Sequence, residues 1–273
     1  MIYICTSMYA EAEPFIKKLN LKKDTSITKF QLFYGGNFLL IITGCGKIKA
    51  SICLTYILTK RNPSPSDFIF NIGLCGSKNC NNEGDAFLIN KIIDNDTKKS
   101  YYTDVLFKHP FKESDIETFS TIVKKDDTVS CSLADMESSG IYESASYFFK
   151  TYQIFFIKIV SDFFNDSIKK DIEKVKSLIY KNSDKIITFL NKLDNDFSYK
   201  TNILSEDDVK TIDTISCNLK FSSSMENELK RIIKYNNLKS KGVFKITDSL
   251  SNLKCGCKKE GKIILEKIKQ RYI

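Results

Sequence analysis

Residues 154–160, IFFIKIV, are apolar at every position except Lys158 and rich in β-branched and aromatic side chains. A run of this length and character fits a strand covered on both faces, so the rest of the chain has to place helices on either side of a sheet. Ser161-Asp162 follows directly, and the carboxyl ends of such strands are where α/β proteins bind their ligands. Upstream, Asp135-Met136-Glu137 precedes Ile141, Ala145, Phe148 and Phe149 at helical spacing, which predicts a helix with Glu137 in its first turn. Glu137 and Asp162 can therefore face one pocket. The same residues also suit plainer duties. Asp135 is a good N-cap, Glu137 favours the positive end of the helix dipole, and Ser161-Asp162 can simply open a turn. Spacing alone does not separate the two readings.

The other segments supply the alternation that such a strand needs. Residues 3–6 read as a strand and 10–19 as a helix in which Pro14 is tolerable only near the first turn, so Glu11 falls at a strand-to-helix junction. Residues 30–34 and 38–43 flank Gly35-Gly36-Asn37 and predict a hairpin. The loop Thr43-Gly44-Cys45-Gly46-Lys47 leads into a helix over 48–58. Two glycines there let a ligand approach the backbone, a property shared by many strand-to-helix turns. Residues 68–72 predict a buried strand, with Gly73-Leu74-Cys75-Gly76-Ser77 as a glycine loop at its end, and Gly84-Asp85 precedes an apolar run over 86–93. Residues 95–117 read as a surface excursion and 118–123 and 128–131 as strands. A long amphipathic helix over 168–193 presents Ile172, Val175, Leu178, Ile179, Ile186 and Leu190 on one side. From Asn195 the pattern is a polar linker, helices over 206–219 and 225–235, a short element near Val243, and a last helix over 259–272. This order predicts an α/β fold over residues 1–194, a mixed twisted sheet curled toward a barrel and flanked by helices. Residues 195–273 form a small helical extension.

Composition narrows the chemistry. The nine cysteines are odd in number and scattered, which reads as reduced thiols in a cytoplasmic protein. Cys255-Gly256-Cys257 lacks the second clear pair that a zinc site needs, so no metal is expected. His109 is the sole histidine, which excludes sites built on several imidazoles and any Ser-His-Asp triad not built on it. Acid and base work then falls to carboxylates. The opening MIYICTSM has neither the basic stretch nor the long apolar core of a signal peptide and reads as a first strand. No apolar run approaches the length of a membrane span. Of the net charge of +9, residues 195–273 carry +6, from 16 Lys+Arg against 10 Asp+Glu. Without an arginine cluster or an aromatic platform, that stretch is expected to be a solvated appendage and not a nucleic-acid binder.

Taken in order, the motifs SMYAEA, ITGCGK, NIGLCGS with GDAFLI, LADMES and IVSDFFND resemble those of the nucleoside phosphorylase and nucleosidase superfamily. The look is nearest to its 5'-methylthioadenosine/S-adenosylhomocysteine nucleosidases. The resemblance spans roughly residues 1–194 and implies cleavage of the N-glycosidic bond of a purine nucleoside by water, without a cofactor, in a homodimer. A phosphate-dependent phosphorylase and a non-catalytic nucleoside-binding relative are the alternatives. By the same resemblance Glu11 activates the water and Met8 lines the ribose. Met136 and Glu137 hold the sugar, and Asp162 protonates the purine at N7 with Ser161 orienting it. Cys45, Leu74, Cys75 and Gly76 line the pocket, and Val129 belongs to a shortened segment, Thr128-Val129-Ser130, that contacts the base. The division of labour suits the reaction, because a departing purine must be protonated while the sugar becomes cationic and water must be activated against it. Water is favoured over phosphate because the motifs contain no arginine, whose guanidinium grips phosphate in paired bonds. Lys47 is the remaining candidate cation.

Overall fold

The structure, a computed structural model, describes residues 1–78, 82–164, 171–201, 204, 206–239, 250 and 253–272. The start of the long helix expected at 168 and the short element near Val243 lie outside the described residues. The chain divides into two compact units, Met1–Asp194 and Asn195–Ile273.

In the first unit the described strands form one ten-stranded sheet. They are β1 (Ile2–Thr6), β2 (Lys22–Asp24), β3 (Gln31–Gly35), β4 (Phe38–Ile42), β5 (Phe68–Ser77), β6 (Ala86–Asp94), β7 (Ser100–Tyr102), β8 (Lys112–Thr118), β9 (Leu133–Asp135) and β10 (Ile154–Asp162). Strand β5 joins two regions. Its first residues pair with β1, which continues into β4, β3 and β2, while Gly76 and Ser77 pair with β9. Along its other edge β5 runs parallel to β10. Since β10 pairs with β6, β6 with β8 and β8 with β9, the strands β5, β10, β6, β8 and β9 close into a ring. This is the curl toward a barrel that the alternation of elements predicts.

The apolar character of β10 has its cause in what covers it. Ile154, Phe156 and Val160 enter the core shared with α2 (Lys47–Arg61) and α3 (Ser138–Ser146). Phe155 stacks on Phe70 with ring centroids 4.8 Å apart and meets Phe189 of α4 (Ile172–Thr201) edge-on. Burial of each such side chain contributes about 1.5–3 kcal/mol. In α4, Val175, Ile179, Ile186 and Leu190 are buried as the periodicity predicts, whereas Ile172 is 60% exposed. The helices α2 and α3 meet closely at Gly140, where an added Cβ would collide with the Lys47 carbonyl and with Ser51. Ser51 Oγ also donates to the Gly140 carbonyl at 3.0 Å. Gly140→Ala is therefore expected to force the helices apart and cost on the order of 1–3 kcal/mol, measurable as a lower denaturant midpoint. An unchanged midpoint would mean that the helices can slide.

Several elements differ from the sequence reading. Pro14 lies inside α1 (Tyr9–Lys18), beyond its first turn. Gly73 to Ser77 are strand and not loop, because β5 keeps its partners through that stretch. The presumed excursion over 95–117 contains β7 and most of β8, while 118–123 and 128–131 are not strands beyond Thr118. Asp135 ends β9, and α3 begins only at Ser138 with Glu137 in the N-cap position. The expected linker after Asn195 is helical through Thr201, as the end of α4.

The second unit contains α5 (Glu206–Asn218), α6 (Ser223–Lys239) and α7 (Lys258–Tyr272). Ile212, Ile215 and Leu219 share a core with Leu229, Ile232, Ile233, Leu265 and Ile268. Gly261 leaves room for the Leu219 carbonyl at the crossing of α7. No described helix in either unit is long and apolar enough to cross a membrane.

Candidate active site

The first carboxylate is placed by the turn from β1 into α1. Glu11 is 2% exposed, and its Oε2 accepts hydrogen bonds from Ser7 N (2.8 Å), Ser7 Oγ (2.7 Å) and Met8 N (3.2 Å). Its Oε1 accepts from Leu74 N at 3.1 Å, which ties α1 to β5. Three donors fill Oε2, whereas Oε1 keeps a lone-pair direction open. Gly73 borders that oxygen, and a Cβ there would stand 3.1 Å from it.

The second carboxylate comes from the start of α3. Glu137 caps no backbone group of its own helix; its Oε1 reaches across to Gly46 N at 2.8 Å. Gly46 can present that N–H because its φ of 96° lies in a region open to glycine. Burial raises the Glu137 carboxyl to about 7, helped by the negative Asp135 and opposed by Lys158 and the Gly46 N–H. Asp135 does the capping instead, accepting from Ser138 N at 3.0 Å and Ser138 Oγ at 2.6 Å.

The third carboxylate depends on an irregularity in β10. The register against β5 runs Val160 with Cys75 and then Asp162 with Gly76, so Ser161 is the extra residue of a β-bulge. Bulges re-aim the side chain that follows them. Ser161 Oγ lies 2.7 Å from Asp162 Oδ2 and 3.1 Å from the Cys75 carbonyl, and Phe164 N donates to Asp162 Oδ1 at 3.0 Å. That last bond turns the chain sharply. Phe164 takes a φ of 63°, uncommon for a bulky residue, and its ring lies over Gly76, where a Cβ would approach Cε1 to 2.6 Å.

These groups surround one cavity of about 370 Å³. Glu11, Asp162, Met8, Cys45, Leu74, Cys75, Gly76, Met136, Glu137 and Ser161 all line it. Val129 does not. Its side chain packs inward with Phe119 and Ala134, and its carbonyl accepts from Lys78 Nζ at 2.8 Å, so it stands behind the wall. The apolar wall is instead built by Ile122, Val123, Phe164 and Val175. Phe164 was available to sequence reading as the second aromatic of IVSDFFND. Ile122 and Val123 carried no signal beyond a short apolar pair. Burial pushes the Cys75 thiol up, which leaves it unreactive, whereas Cys45 is exposed.

The ring of five strands and the helices that cover it recur in solved structures. The 5'-methylthioadenosine nucleosidase of Arabidopsis thaliana superposes with a TM-score of 0.60 at 18% identity, over 70% of this chain and 95% of that one. The fold is that of the nucleosidases. The 5'-methylthioadenosine/S-adenosyl homocysteine nucleosidase of Campylobacter jejuni gives 0.58 at 14% identity, covering 70% of this chain and 98% of its own. A futalosine hydrolase mutant of Helicobacter pylori gives 0.58 at 11% identity, over the same shares of the two chains. No protein-family profile and no curated protein sequence matches the chain. The likeness is thus one of nucleosidase fold, and the covered share is about the size of the first unit.

Proposed function

We propose that the protein is an N-glycosyl hydrolase that releases the base of a purine nucleoside, with water as acceptor. The observation that carries this reading is the convergence of Glu11, Glu137 and Asp162, from three separate elements, on one cavity in a nucleosidase fold. Glu11, held by four donors with one lone-pair direction open, is the base that orients and activates water. Asp162 delivers a proton to the departing base, and Ser161 fixes its direction. Glu137, once ionised, accepts the ribose hydroxyls, and Met8 and Met136 pack against the sugar. The apolar wall suits a base and an uncharged 5' substituent. 5'-Methylthioadenosine is therefore the first substrate to try, in keeping with what the fold neighbours are named for. The second unit is proposed to be a basic helical appendage that takes no part in the chemistry.

The site offers little to a phosphate. Among the described residues no lysine or arginine lines the cavity. Lys47 is engaged at 2.7 Å with Asp94 and 2.8 Å with Asp96, and Arg61 is engaged with Asp24 and Ser26. Ser139 Oγ also donates to Asp94 at 2.6 Å, and these bonds outweigh burial to hold the Asp94 carboxyl below its ordinary range, so Lys47 faces a firmly ionised partner. The purified full chain, incubated with purine nucleosides in phosphate-free buffer and again with phosphate, is expected to give free base and free sugar in both. Strict dependence on phosphate with a sugar 1-phosphate as product would reassign the acceptor. Release of no base from any purine nucleoside would overturn the enzymatic reading.

A further inference from the structure

A buried lysine stands beside the site with no part in the steps above. Lys158 interrupts the apolar 154–160 run of β10 with its side chain 1% exposed, and its Nζ is 2.7 Å from Asp135 Oδ2, a side chain with no exposure at all. A buried ion pair adds little net stability, since both ions give up their water, so stability alone does not account for it. Its connections do. Asp135 also accepts from Thr118 Oγ1 at 2.8 Å and from both polar groups of Ser138, so Met136 and Glu137 are strung between two fixed points. Strands β9 and β10 are not neighbours; both pair with β5, and the ion pair spans from one to the other. Lys158 is in register with Gly73, the residue against which the Glu11 carboxylate lies.

We propose that Lys158 and Asp135 form a positioning pair for Glu137, Asp135 fixing the turn that presents it and Lys158 supplying the positive charge against which Glu137 can carry its own negative charge while buried. The inference rests on the sugar-binding role proposed for Glu137, but its electrostatic part stands without it. The charges that bear on Glu137 are those of Asp135 in β9, Lys158 in β10 and Glu11 in α1, and the Gly46 N–H at the start of α2 donates to it. Loss of Lys158 leaves it among two carboxylates, and loss of Asp135 leaves it facing an ammonium with one. The two changes act with opposite sign.

The test is a carboxyl ¹³C NMR titration of Glu137 in the unliganded full chain, its signal assigned by its absence in Glu137→Gln. Lys158→Met is expected to raise the midpoint by about one pH unit or more and Asp135→Asn to lower it comparably, while Lys158→Arg stays near the parent. A purely structural pair would not give opposite shifts. An unmoved midpoint in Asp135→Asn, or shifts of both variants in one direction, overturns the proposal, and the Asp135 variant decides the matter if Lys158→Met fails to fold. In a protein that proves active, the acid limb of kcat/KM is expected to follow the same order. A limb that stays in place while the midpoint moves overturns the link to sugar binding. A parent protein that releases no base removes the enzymatic reading and leaves the titration result standing.

Discussion

Asp162→Asn is expected to lower turnover of a purine nucleoside by roughly 10² to 10⁴-fold while the protein stays folded. The substitution keeps the shape of the bulge. An asparagine carbonyl can still accept from Phe164 N, and Ser161 Oγ can accept from the amide while it donates to the Cys75 carbonyl. What disappears is the proton for the leaving base. A riboside with an acidic phenol as leaving group departs without protonation, so the variant should cleave it nearly as well as the parent. Steady-state kinetics on both substrates, with a thermal melt to show that folding is kept, test the role. Near-normal turnover of the purine nucleoside by Asp162→Asn would remove Asp162 from it.

Glu137→Gln is expected to move activity and stability in opposite directions. Activity falls because two hydroxyls lose an anionic acceptor, each bond of that kind being worth about 1.5–3 kcal/mol, so kcat/KM should drop by roughly 10²-fold or more. In the parent protein the rate of base release should rise with pH through about 7 as Glu137 ionises. The stability argument follows from the same group. Its folded-state pKa, raised by burial, is about 7 against an ordinary 4.5. Below the ordinary value both states are protonated and nothing is lost. Between the two values the unfolded chain ionises first, so stability falls as pH rises, and above the folded value the cost levels off at about 3 kcal/mol. The glutamine variant should therefore match the parent near pH 4 and exceed it in stability at pH 8. Denaturant unfolding at both pH values checks this. A variant less stable than the parent at pH 8 would show that the charge of Glu137 supports the fold and does not burden it.

Much of this site was legible in local sequence because its signals are local. The apolar run of β10 marked a strand covered on both sides, and Ser161 and Asp162, which follow that run, line the cavity. The Gly35-Gly36-Asn37 turn predicted a hairpin, and Gly36 takes the φ of 55° that favours glycine there. Spacing put Glu137 and Asp162 forward together, and the resemblance carried by the five motifs added Glu11.

What the sequence could not decide is whatever depends on partners distant in the chain. Gly73 and Gly76 look like loop residues, yet they sit in a strand, where Glu11 and the Phe164 ring occupy the space of their missing side chains. Strands β7 and β8 have little periodicity of their own and exist because β6 pairs with both. Val129 turned inward onto Phe119 and Ala134, a choice made by packing that no local pattern records. Lys158 interrupts the apolar run and, read alone, is only an exception to it. Its partner is set on a strand two places away around the ring, and only closure of that ring through the β5–β10 pairing brings the two charges within 2.7 Å.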